Sequence, residues 1–227
     1  MSASRHQVVT KDYSENLSDG ILICGINFGY SAGEEHLEKA RNSFELEPKS
    51  FFSDSRVNKT RFRKRILGWL EGWGCPLATR EGQEGGFERS FFQTNWLNSQ
   101  TRSVSSDGKI TCELLVDEAQ GFLELVEARR PSVILFFGAL LIEAFNDIRL
   151  RDRVVAMLGA RSGNANVHRG TLKDYSGKRF FMKTQHFGNT RIMGLPHPQT
   201  RGLSDIYVGS FEPPARILKE MRERAAL

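Results

Sequence analysis

Cysteine is scarce in this chain. There are three in 227 residues, Cys24, Cys75 and Cys112, and they lie far apart. An odd count with no C-x-x-C pair excludes a disulfide framework and suits a reducing compartment. With no His/Cys cluster either, the donors for a zinc or iron–sulfur centre are missing, so neither a metal nor another cofactor is expected. Long apolar runs are lacking too. The longest, residues 133–145, is about 13 residues and contains Glu143, against the roughly 20 that a membrane-spanning helix needs. No membrane partner is expected, and the polar, mixed-charge residues 1–12 lack the apolar core of a secretory leader. No internal repeat or low-complexity linker divides the chain.

What is present is an ordinary globular composition, 39% apolar and 26% charged, with 32 Lys+Arg against 27 Asp+Glu. The formal charge of +5 permits an acidic partner such as nucleic acid without requiring one. A chain of this length buries roughly 70% of its unfolded surface and needs no staple to fold. Residues 1–227 read as one domain, with residues 1–18 as a flexible N-terminal arm, and the protein is expected to be a monomer.

Short apolar runs closed by Gly or Pro mark strands buried on both faces at residues 20–25, 132–137 and 190–195, with a second candidate strand at 90–96 and a further strand, at an edge, at 180–184. Between them the apolar residues recur at helical spacing. Phe62, Ile66, Trp69, Leu70 and Trp73 make one stripe, and Leu115, Ala119, Phe122, Leu123 and Val126 make another. Residues 139–145 and 214–225 read as further helices. This alternation predicts a three-layer α/β/α domain around a mostly parallel sheet of about four to five strands. Ligands of such sheets bind beyond the carboxyl ends of the strands, so the residues there carry the functional information.

After the first strand comes Gly25-Ile26-Asn27-Phe28-Gly29-Tyr30-Ser31-Ala32-Gly33. Its glycines let backbone N–H groups approach an anion or a sugar, although it is neither a Walker loop nor a dinucleotide fingerprint. The other reading is a tight turn with Asn27 in a left-handed conformation. After the second strand, Asn95 sits among aromatics; its carboxamide can read the edge of a heterocycle or satisfy loop backbone groups. After the fourth strand, Pro196-His197-Pro198 holds an imidazole on a stiff backbone. That suits a preorganised hydrogen-bond donor or a structural turn. His168 and His186 read as solvent-facing. Six cations (Arg56, Lys59, Arg61, Arg63, Lys64 and Arg65) and no acid occupy residues 56–65. They either track a phosphate backbone or form the exposed face of a soluble helix.

Together these strand-end motifs resemble the uracil-DNA glycosylase superfamily. Gly25-Ile26-Asn27 is similar to the first motif of its mismatch-specific and single-strand-selective branches. Thr94-Asn95 resembles the strand end that reads the flipped base, residues 130–139 resemble the Pro-x-x-Ile/Val…Gly strand, and His197-Pro198 resembles the His-Pro-Ser motif. Phe28 stands where the family commonly has Pro, and Gln199 stands where it has Ser.

The resemblance implies a cytoplasmic, nucleoid-associated or nuclear DNA-repair hydrolase acting on damaged or mismatched DNA. It would flip out uracil or another deaminated base and cleave its N-glycosidic bond with water. It implies Asn27 and His197 as catalytic residues. Asn95, Phe51, Phe52, Gly25 and Gly29 would bind the base; Phe51 or Phe52 would stack on it, or either would be core. Arg61, Lys64, Arg65 and Arg201 would contact DNA, with Arg201 entering the vacated stack or meeting phosphate or solvent. A catalytically silent nucleic-acid or protein binder of the same fold, and a hydrolase of small nucleotides or nucleosides, are the alternatives.

Overall fold

The four apolar runs become the four parallel strands of a six-stranded sheet. In the computed structural model, which describes residues 6–29, 48–53, 59–78, 80–98, 100–101, 110–172, 175 and 180–226, they are β1 (Ile21–Gly25), β3 (Phe91–Asn95), β5 (Val133–Phe137) and β8 (Thr190–Leu195). β7 (Met182–Phe187) and β6 (Asn166–His168) add on antiparallel, giving the order β3-β1-β5-β8-β7-β6. A separate parallel pair, β2 (Phe28–Gly29) with β4 (Gln100–Thr101), carries the β1 and β3 segments onward.

The period of two along each strand sorts side chains onto two faces. Ile21, Ile23, Leu135, Phe137, Met193 and Leu195 face one core. It also holds Ile66 and Trp69 of α2 (Arg61–Gly72), Phe87 of α3 (Gly86–Arg89), Tyr207 of α8 (Asp205–Gly209) and Leu218 of α9 (Glu212–Arg224). Leu22, Cys24, Ile134, Phe136 and Ile192 face the other core. There they meet α4 (Cys112–Asp117), α5 (Gln120–Arg129), α6 (Ala139–Phe145) and α7 (Arg151–Leu158). Burying each large side chain contributes about 1.5–3 kcal/mol, and both faces are covered, as the unbroken apolar strands require. All three cysteines are free thiols. Among the described residues no helix is long and apolar enough to cross a membrane.

The α/β fold around a mostly parallel sheet is as expected; its sixth strand, β6, is too short and too exposed to register as an apolar run. Other expectations are corrected. The strand expected at 180–184 runs from Met182 to Phe187, and β6 rather than this strand takes the edge. The stripe from Leu115 to Val126 is two helices that bury the same face, with Glu118 and Ala119 between them. Residues 6–18 are not a free arm. Val9 N–H donates to Gln93 O (3.0 Å), Thr94 Oγ1 donates to Gln7 O (2.5 Å), and His6 Nε2 donates to Asn95 O (2.7 Å). The segment therefore runs along β3 and continues into α1 (Ser14–Leu17), where Asn16 is fully buried. Residues 1–5 lie outside the described residues.

Candidate active site

Register brings the strand ends together. Gly25 pairs with Asn95, and Phe137 pairs with Leu195, so β3, β1, β5 and β8 finish at one level. The chain passes from β1 to β3 on one side and then crosses to β5 on the other. That change of direction places the crevice of such a sheet beside Gly25 and Gly138. Gly138 has φ +138°, a conformation that L side chains rarely adopt, and its N–H donates to Leu195 O (3.0 Å). Its neighbour across the crevice is the Ile26 side chain.

Gly25 serves a different purpose. Its φ is not positive; the Asn95 carboxamide lies over its Cα, and a Cβ would collide with Asn95 Oδ1. The glycine is therefore spatial clearance for the amide. Asn95 is buried at 5% exposure. Asn27 is half-buried and, contrary to one expectation, is not left-handed. β1 and β3 stay paired beyond their ends through Trp96 N–H to Gly25 O and Leu97 N–H to Ile26 O, both 2.9 Å. Those bonds shape the turn where Asn27 sits. Gly29 belongs to β2, while residues 30–33 lie outside the described residues.

His197 follows β8 in the turn expected from its flanking prolines. Its Nδ1 accepts the Gln199 backbone N–H at 3.2 Å, so in the neutral ring the proton is on Nε2 and that atom is the donor. Burial pushes its pKa down to about 4, since desolvation disfavours the imidazolium. The imidazole is thus neutral at physiological pH. The Gln199 contact comes from the backbone, so the residue type at 199 does not affect it. His197 also lines a cavity of about 230 Å³ with Gly138, Ala139, Lys183 and Thr200; Asn27 and Asn95 are not part of its lining.

Phe62 links these groups. Its ring lies 5.7 Å from the His197 ring and 5.8 Å from Phe137, centroid to centroid. Its Cζ lies 3.7 Å from where a Gly25 Cβ would stand. Asn95, Gly25, Phe62 and His197 form one row across the strand ends. The stripe of α2 had concealed Phe62 as a core residue. The available signal was its place: α2 is a helix of the β1-to-β3 crossover, so its first turn lies beside the strand ends. Phe51 and Phe52, expected as stacking candidates, are fully buried, and Phe51 stacks on Phe91 at 6.1 Å.

The cation cluster divides. Lys59, Arg61 and Lys64 are exposed, as is Arg201. Arg63 and Arg65 are buried, at 3% and 8% exposure. Arg63 donates from Nε and Nη2 to Gln93 Oε1 (3.2 and 2.8 Å) and lies over the Phe51 ring. Arg65 is turned onto the segment after β8, which corrects its assignment as a DNA contact. A desolvated guanidinium needs partners at several N–H groups, and backbone carbonyls supply them there. Arg56 lies outside the described residues. His186 is exposed as expected; His168 is half-buried and bonds Thr184 Oγ1 at 2.8 Å.

No protein-family model and no curated protein matches this chain. The functional reading rests on the row of strand-end groups and on the motifs that place them.

Proposed function

We propose that the protein is a monofunctional DNA glycosylase that excises uracil or another deaminated base. The observation that carries this reading is the tautomer of His197: a neutral imidazole with Nδ1 occupied by Gln199 N–H and Nε2–H as its donor, in one row with the Asn95 carboxamide.

As the glycosidic bond breaks, positive charge develops on the sugar and negative charge on the departing base. His197 Nε2–H donates to the base carbonyl that gathers the negative charge, and one such preorganised donor is worth about 3–4 kcal/mol. A neutral donor suits this role because it stabilises charge without transferring its proton. Asn95 offers an N–H and a carbonyl to the imide-like edge of the base. Asn27 orients the attacking water; an amide has no useful basicity, so its contribution is positioning. Water adds its hydroxyl to the sugar C1′, and the base leaves with a proton in place of the glycosidic bond. Phe62 supplies the aromatic surface, replacing the buried Phe51 and Phe52. Arg61, Lys64 and Arg201 face the phosphate backbone.

The test uses labelled oligonucleotides carrying uracil, hypoxanthine, xanthine or a mismatched T, with alkaline cleavage at abasic sites. The expected result is strand scission that slows by about 10²–10³-fold in His197→Ala and persists in His186→Ala. DNA binding without scission would identify a silent binder. Turnover of free nucleosides alone would identify a small-molecule hydrolase.

A further inference from the structure

Arg65 differs from every other cation of α2 in what it binds. Nη1 donates to Pro198 O at 2.6 Å and to Thr200 O at 3.5 Å, Nη2 donates to Leu203 O at 2.5 Å, and Nε donates to Asp205 Oδ1 at 2.6 Å. Asp205 Oδ1 also accepts Trp69 Nε1–H at 2.7 Å. These acceptors bracket the turn that begins at His197, whose carbonyl accepts Thr200 N–H at 2.9 Å. Residues 196–203 are neither helix nor strand, so no regular ladder holds the imidazole's backbone. A planar guanidinium presents five donors at fixed angles and can engage four oxygens at once. An ammonium is a point charge with three movable donors and cannot.

We propose that Arg65 is a positioning residue that holds the turn at residues 197–203 and thereby aims the His197 imidazole. The role of that imidazole in catalysis rests on the proposed function; the mechanical coupling between the two residues does not. Among the described residues, the charged groups bound to the turn that carries His197 are Arg65 on α2 and Asp205 on α8, and Lys183 on β7 lines the same cavity as His197 and pairs with Glu143 of α6 at 3.0 Å. Arg65→Lys keeps the positive charge and removes the fork. A change at His197 in that variant therefore reports geometry rather than charge. Once the turn is loose, water reaches the ring and relieves the desolvation that depresses its pKa.

The experiment follows the imidazole titrations by NMR without DNA in the wild type, Arg65→Lys and Asp205→Asn, with the His197 signal assigned from His197→Gln. The expected result is a His197 pKa that climbs from about 4 toward the ordinary histidine value in Arg65→Lys, and by less in Asp205→Asn. On a cleavable oligonucleotide, kcat of Arg65→Lys falls about 10- to 100-fold with KM little changed, and the acid limb of the rate profile moves up with the imidazole. An unshifted His197 in folded Arg65→Lys overturns the proposal. Should that variant fail to fold, an unshifted His197 in Asp205→Asn overturns it equally. A wild type that releases no base from any oligonucleotide refutes the glycosylase reading while leaving the imidazole shift measurable, so the two failures are read apart.

Discussion

Gly25 and Asn95 are register partners at the ends of β1 and β3, and the carboxamide of Asn95 fills the space where a side chain at position 25 would begin. The obstacle to Gly25→Ala is therefore the tip of one side chain rather than backbone. The fold should absorb the methyl by turning Asn95 aside. We expect a melting temperature within a few degrees of the wild type, measured by calorimetry, and base release reduced about 100-fold through misplacement of the amide. A large loss of stability with activity retained per folded molecule would refute this account of the glycine.

The half-buried, neutral His197 sets the pH behaviour. Base release should persist through pH 5, with an acid limb near the ring's pKa of about 4 rather than near the ordinary histidine value. Linkage adds a stability effect. Because the folded pKa is depressed, the unfolded chain binds the extra proton between about pH 6.5 and pH 4, so stability falls as pH drops through that window. Melting curves of the wild type and His197→Gln across pH 4–7 should show a shallower fall in the variant. Parallel curves would contradict the burial of the ring. His197→Ala should lower kcat by about 10²–10³-fold, as for the loss of one transition-state donor.

The division of the cation cluster predicts different salt responses. Arg61→Ala, Lys64→Ala and Arg201→Ala should each weaken DNA binding across sequences and reduce the slope of log K against log salt by about 1. Arg65→Gln should leave that slope unchanged, because the Arg65 guanidinium is spent on protein carbonyls. Fluorescence anisotropy over a salt series measures both. Equal effects at Arg61 and Arg65 would contradict the assignment.

Arg129 ties the N-terminal segment to the sheet. At 5% exposure it reaches Asp12 Oδ1 at 2.7 Å and both oxygens of Asn16 at 3.3 Å, and it lies 4.9 Å from the centre of the Phe92 ring. Arg129→Met takes this donor from Asn16 O and leaves Asn16 Oδ1 with the Tyr13 N–H alone, and should cost about 2 kcal/mol in urea unfolding. It should also speed amide exchange in residues 6–18. Those residues include His6, which donates to Asn95 O, so the loosening reaches the back of the candidate site.

Much of this molecule was legible in the one-dimensional pattern. The runs 20–25, 132–137 and 190–195 matched β1, β5 and β8 closely because a strand buried on both faces is apolar without interruption. The stripe from Phe62 to Trp73 matched α2 because one face of that helix meets the sheet. β6 was missed for the converse reason: it is short and open to solvent, with Val167 56% exposed, so it carries no apolar run to read.

Apolar periodicity is a local property, and it sufficed to read a mostly parallel α/β sheet with the amide of residue 95 and the imidazole of residue 197 at its strand ends. Which cations face solvent, which aromatic joins the site and which tautomer His197 adopts depended on packing in three dimensions. Arg61 and Arg65 look alike along the chain. What separates them is whether backbone carbonyls from residues far along the chain lie within reach of the guanidinium, and that depends on how the turn after β8 packs against α2.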